Sequence, residues 1–139
     1  MLMGEYIYAI DEKGRLNFPA KFRDQMGKEF VVTRWLDDCL VAFPESEWQR
    51  ITEILKGKSM VKTRDIQRFL FSAAEEAVPD KQGRILLGPA LRAHAGLEKE
   101  VTVIGVGSYA EIWNTAAWQK KQQSLGSAEI EAAMEELEF

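Results

Sequence analysis

The sequence predicts an α+β fold assembled from two tandem copies of one unit, and three observations lead there. The stretch Asp11-Glu12-Lys13-Gly14-Arg15 returns 69 residues later as Asp80-Lys81-Gln82-Gly83-Arg84. Arg23 and Gly27 recur at the same offset as Arg92 and Gly96, and the aromatic pair Phe43 and Trp48 recurs one residue later still as Trp113 and Trp118. Within each copy, strand-like runs and helical spacing alternate in one order: β-hairpin, short helix, two strands, longer helix. A unit of roughly 40–45 residues cannot bury both faces of its strands, so the two copies are expected to pack on each other.

The elements follow in order. Glu5 to Ile10 is rich in Tyr, Ile and Ala and reads as a strand. Asp11 to Gly14 is a turn, because Asp accepts hydrogen bonds from the amides ahead of it and Gly takes a positive φ without steric cost. Arg15 to Phe18 is expected to return as the second strand of a local hairpin. Pro19 opens a short helix, Ala20 to Met26, which Gly27 ends. Phe30 to Arg34 and Cys39 to Phe43 read as strands joined by the acidic turn Asp37-Asp38. Pro44 begins a helix through about Lys56, with Trp48, Ile51 and Leu55 at helical spacing, and Gly57 to Val61 reads as a linker. Thr63 to Phe71 is a helix with Ile66, Phe69 and Leu70 on one side. The second copy gives strands Ser72 to Val78 and Arg84 to Leu87 around the turn Asp80 to Gly83, then the helix Pro89 to Ala95 closed by Gly96. Strands Glu100 to Val106 and Tyr109 to Trp113 come next. Asn114 reads as the N-cap of a helix through about Leu125, and Ser127 as the cap of an acidic helix, Ala128 to Leu137.

With 139 residues and 46% apolar content the chain can build a core, and no apolar run is long enough for a membrane span. The first ten residues lack the basic start and long apolar region of a signal peptide. Cys39 is the only cysteine, which fits a small buried residue in a reducing cytoplasm. The net charge of −4 is unevenly spread. Residues 127–139 hold Glu129, Glu131, Glu135, Glu136 and Glu138 with no Lys or Arg. Residues 56–68 set Lys56, Lys58, Lys62, Arg64 and Arg68 against Asp65 alone.

Catalytic constellations are missing from the sequence. The lone His94 has Gln25 at the matching place in the first copy and reads as a packing or surface residue. No Cys/His set has zinc spacing, and no phosphate-binding loop or nucleophile motif is present, so no enzyme activity, metal or cofactor is expected. The chemistry lies in the repeated stretch. An Asp and an Arg four residues apart, with Gly between them, bring carboxylate and guanidinium together across a loop. Arginine's planar fork suits phosphate oxygens and the O6/N7 edge of guanine. Lys13 and Lys81 add a cation to each loop. The plainer alternative is a hairpin closed by an Asp–Arg contact that grips nothing.

Gly4-Glu5, Gly14-Arg15-Leu16, Pro19-Ala20-Lys21-Phe22-Arg23, Gly83-Arg84-Ile85-Leu86, Ala95-Gly96-Leu97 and Val103-Ile104-Gly105-Val106 together resemble the MraZ family, of the SpoVT/AbrB-like swapped-hairpin group. The resemblance implies two tandem SpoVT/AbrB-like units, residues 5–47 and 74–117, interlocked as an intramolecular pseudo-dimer β-barrel. A helical connector, 48–73, and a C-terminal helical segment, 118–139, would flank them. It further implies a DNA-binding transcriptional regulator that assembles into a homo-oligomeric ring. Such a regulator binds double-stranded DNA at short direct repeats in the promoter of the cell-division and cell-wall gene cluster. The location would be cytoplasmic, at the nucleoid, with no membrane and no small-molecule substrate. Carried over by position, the DNA-binding residues are Asp11, Lys13, Arg15, Asp80, Lys81 and Arg84. Two departures stand out. Lys81 sits earlier on its loop than Gln82, the residue matching Lys13, and Gly88-Pro89 stands where two prolines are the family's pattern. The second departure implies a looser joint and weaker binding by the second copy. A competing expectation is a protein-interaction ring whose loops dock an acidic partner protein, resting on the net charge and on an exposed Trp35 beside Asp37-Asp38.

Overall fold

The structure is a computed structural model that describes residues 1–139. The first repeat contributes β1 (Glu5–Ala9), β2 (Arg15–Asn17), α1 (Ala20–Met26), β3 (Phe30–Arg34), β4 (Leu40–Pro44), α2 (Glu45–Lys56) and α3 (Met60–Phe71). The second gives β5 (Glu75–Ala77), β6 (Arg84–Leu86), α4 (Pro89–Ala95), β7 (Glu100–Gly105), β8 (Ala110–Asn114), α5 (Thr115–Ser124) and α6 (Ala128–Glu136). The expected elements are therefore present. Val61 lies inside α3, which shortens the expected linker, and the strand expected over residues 72–78 is reduced to three residues. Asn114 caps α5 by accepting the Ala117 amide at 3.1 Å, whereas the Ser127 side chain makes no such bond to α6.

The strands form a mostly antiparallel six-stranded sheet, in the order β1-β7-β8-β4-β3-β5, and a separate two-stranded ribbon, β2-β6. The hydrogen-bond order is open, with β1 and β5 at the edges of the larger sheet. Four of these pairings join the two repeats: β1 with β7, β4 with β8, β3 with β5, and β2 with β6.

The local hairpin expected from Glu5–Phe18 does not continue past its turn. A single bridge, Ile10 to Leu16, joins its arms, and β1 runs instead along β7, with Tyr6 opposite Val103. Burial explains the exchange. Pairing β2 with β6 sets Leu16 opposite Ile85, and both side chains are fully buried. Removing side chains of this size from water is worth roughly 1.5–3 kcal/mol each. One apolar cluster takes residues from both repeats, including Leu16, Phe18, Phe22 and Phe30 from the first and Ile85, Leu87, Leu91 and Val103 from the second.

Both aromatic pairs close as expected, with ring centroids 5.9 Å apart for Phe43 and Trp48 and 5.3 Å for Trp113 and Trp118. Cys39 is buried, and its thiol is raised far above its ordinary range by desolvation, with the nearby carboxylates adding to the shift. No helix is long and apolar enough to cross a membrane.

Candidate nucleic-acid interface

Each copy of the repeated stretch forms the same loop. In the first, the Gly14 amide donates to the Asp11 carbonyl at 3.0 Å, and the Asp11 amide donates to the Arg15 carbonyl at 3.1 Å. One carboxylate oxygen of Asp11 accepts the amides of Lys13 and Arg15, at 3.0 and 2.8 Å, and the other accepts Nε of Arg15 at 2.6 Å. Asp80 repeats the scheme, with the amides of Gln82 and Arg84 both at 2.9 Å and Nε of Arg84 at 3.0 Å. Both carboxyls are held below their ordinary range, chiefly by the amide of the arginine four residues on. Gly14 and Gly83 close the loops with φ of 88° and 78°, in the left-handed region that glycine occupies freely.

Each loop also rests on the other repeat. The Leu87 amide donates to the Gly14 carbonyl at 2.9 Å, and the Phe18 amide donates to the Gly83 carbonyl at 3.0 Å. Beneath Gly83 lies the guanidinium of Arg23, fastened by Nε to the Phe18 carbonyl at 3.0 Å. Beneath Gly14 lies that of Arg92, fastened to the Leu87 carbonyl at 3.1 Å. Neither glycine has room for a side chain. A Cβ on Gly83 would lie 2.7 Å from Cζ of Arg23, and one on Gly14 would meet the Leu87 carbonyl oxygen.

The β2–β6 ribbon carries both arginines on one face. Arg15 pairs with Leu86 and Asn17 with Arg84, so by strand alternation these four side chains share a side while Leu16 and Ile85 point into the core. The Arg15 side chain is 39% exposed and that of Arg84 29%. In each, Nε is committed to its aspartate, and the terminal nitrogens of the fork remain for a partner. Lys13, Lys81, Asn17 and Leu86 are all exposed. The expected tips are thus brought together: two loops feed one short ribbon, with Arg23 and Arg92 adding positive charge below it. Such a surface suits an anion with repeated phosphates, and a two-stranded ribbon is narrow enough to enter a major groove.

Sequence reasoning missed Asn17 and Leu86. The period-2 alternation from Arg15 and from Arg84 was the available signal, but it carries meaning only once β2 is known to pair with β6. It also assigned Arg23 and Arg92 no role, although their shared offset marks them. Gly88 explains the departure from two prolines. Its amide donates to Oε1 of Glu75 at 3.0 Å, and a side chain there would collide with that carboxylate. The joint is tied, where a looser one was expected. Trp35 is half-buried against Phe43 and Tyr109, not exposed, which removes one of the two features favouring an acidic protein partner. His94 is half-buried and faces Phe69, with Nε2 3.2 Å from the Trp35 carbonyl oxygen; of the packing and surface roles expected, it takes the first in part.

The chain matches the family model of the MraZ protein twice, over residues 1–69 and 70–138. It is similar to the transcriptional regulator MraZ of Heliobacterium modesticaldum, with 45% identity over 100% of this chain and 99% of that protein. The protein of the same name from Limosilactobacillus reuteri is 48% identical over 86% of each chain. That of Syntrophomonas wolfei is 42% identical over 96% of this chain and 94% of its own.

Proposed function

We propose, because the chain belongs to the MraZ family, that it is a sequence-specific DNA-binding transcriptional regulator. The observation that carries this reading is the β2–β6 ribbon, which presents Arg15 and Arg84 on one face at diagonal positions, each posed by its own aspartate. The terminal nitrogens of these arginines meet phosphate oxygens or a guanine edge, Lys13 and Lys81 meet backbone phosphates, and Asn17 lies on the face that reads bases. Asp11 and Asp80 belong to the same interface, where they pose the arginines. No catalytic step is part of this reading.

The finer reading follows from the resemblance. The two units, residues 5–47 and 74–117, act as an interlocked intramolecular pseudo-dimer, and the exchange of β1, β2 and β5 between repeats supports that description. The targets are short direct repeats in the promoter of the cell-division and cell-wall gene cluster, and the protein works at the nucleoid as a homo-oligomeric ring. A net charge of −4 leaves one protomer with weak, salt-sensitive attraction for DNA. A ring presenting the same ribbon at regular intervals to repeated sites gains by effective concentration.

Arg15→Ala tests the assignment. A mobility shift on promoter-repeat DNA should weaken by about 1–3 kcal/mol in affinity while the elution volume on a sizing column stays that of wild type. Loss of the oligomer along with DNA binding would make the arginine structural, and affinity equal to wild type would remove it from the interface.

A further inference from the structure

α3 and α6 hold corresponding places after the longer helices of the two repeats, yet they are packed differently. α3 buries Thr63 and Leu70 and, with α2, walls an apolar groove of about 540 Å³ lined by Trp35, Leu36, Ile54, Ile66, Phe69 and their neighbours. The groove is open: Leu36 is 65% exposed, Ile54 45% and Ile66 47%. α6 buries no residue. Ile130, Met134 and Leu137 fall at i, i+4 and i+7, one helical stripe, and are 39%, 43% and 71% exposed. The folded chain therefore leaves open both an apolar groove and an apolar helix face.

Their charges are complementary. Around its stripe α6 and its flanks carry Glu129, Glu131, Glu135, Glu136 and Glu138 with no basic residue. The end of α2, the turn after it and the start of α3 carry Lys56, Lys58, Lys62 and Arg64, all exposed, which outnumber Glu53 and Asp65, the latter on the groove wall. Lys62 stands one turn before Ile66 on the groove side of α3.

We propose that the α2–α3 groove receives α6 from a second copy of this chain. An amphipathic helix seated in an apolar groove buries its i, i+4, i+7 stripe, and a complementary rim sets its direction. α5, which carries α6, is anchored to its own body by Gln122 to Glu5 at 3.3 Å and by Lys121 to Asp37 at 3.8 Å. Each copy then offers one helix and one groove. Such a contact is head-to-tail, and it propagates until rotation closes it into a ring. The inference rests on the self-assembly part of the reading above and names the surface responsible.

The test uses the full chain with Ile66→Cys and Met134→Cys together, Cys39 being buried. After mild oxidation, a non-reducing gel should show covalent dimers and higher multiples from the double variant and from neither single variant. Ile130→Ser, Met134→Ser and Leu137→Ser combined should lower the native mass of the assembly to that of a monomer with an unchanged circular-dichroism spectrum. An internally cross-linked monomer would overturn the proposal, since the helix would then belong to its own groove. Oligomers by native mass without any cross-link would also overturn it, leaving self-assembly intact through another surface. A monomeric wild-type chain would defeat the assembly reading itself.

Discussion

Asp11 and Asp80 spend every carboxylate oxygen on holding a loop, and that work has a pH signature. Their folded-state acidities lie below the ordinary range because backbone amides and the arginine stabilise the charged form. A carboxyl depressed on folding contributes stability above its unfolded pKa, about 3.9 for Asp, and loses that contribution as pH falls through the lower folded value. The loops should therefore stay closed on acidification past the point where ordinary aspartates protonate. Carboxyl-carbon NMR titration should show Asp11 and Asp80 with midpoints below the ordinary aspartate value. Midpoints at or above that value would show that the loops are not held this way. Of this arrangement, the Asp–Arg contact was legible in the sequence, because it is made within five residues. The seats of Arg23 and Arg92 under the opposite loops were not, because nothing local says which repeat an arginine will reach.

At the scale of elements, the loops and the ribbon are braced across the repeat boundary, and the two glycines feel this unequally. An alanine at either takes a positive φ, which costs an L-residue roughly 1–2 kcal/mol. At Gly83 the new methyl meets the far end of the Arg23 side chain, which can swing aside. At Gly14 it meets the Leu87 carbonyl oxygen, on the residue whose amide holds the loop. Overpacking of that kind adds about 1–3 kcal/mol. Gly14→Ala should thus destabilise more than Gly83→Ala in urea unfolding, by about 3 against about 1–2 kcal/mol. Equal losses, or the reverse order, would mean the loops do not rest on the other repeat as described. Most element types and bounds were legible because apolar periodicity is a local signal. The partner of β2 was not. The turn after Ile10 forms as its residues dictate, but Leu16 pairs across the repeat boundary with Ile85, where both side chains are fully buried.

For the whole molecule, duplication explains how a chain of net charge −4 presents a basic surface. Exchange of strands between repeats draws two loops onto one ribbon and seats Arg23 beneath Gly83 and Arg92 beneath Gly14, while the acidic residues of α6 lie at the far end of the chain. The repeat and the two loops could be read from the sequence at the outset. Their convergence depends on long-range pairing and could not. The open groove between α2 and α3 likewise depends on how two helices pack, although the apolar stripes of α3 and α6 show in their spacing.

The most direct measurement is fluorescence anisotropy on a duplex carrying a repeat recovered from a random DNA pool, at several salt concentrations. Wild type would be compared with Arg15→Ala, Arg84→Ala and the two combined. Each single change should weaken binding by about 1–3 kcal/mol and lower the slope of log affinity against log salt by about 1 for each phosphate that is no longer neutralised. The double variant should bind no better than it does to unrelated DNA, with its melting temperature and native mass unchanged. Affinity and salt slope equal to wild type in the folded double variant would contradict the account.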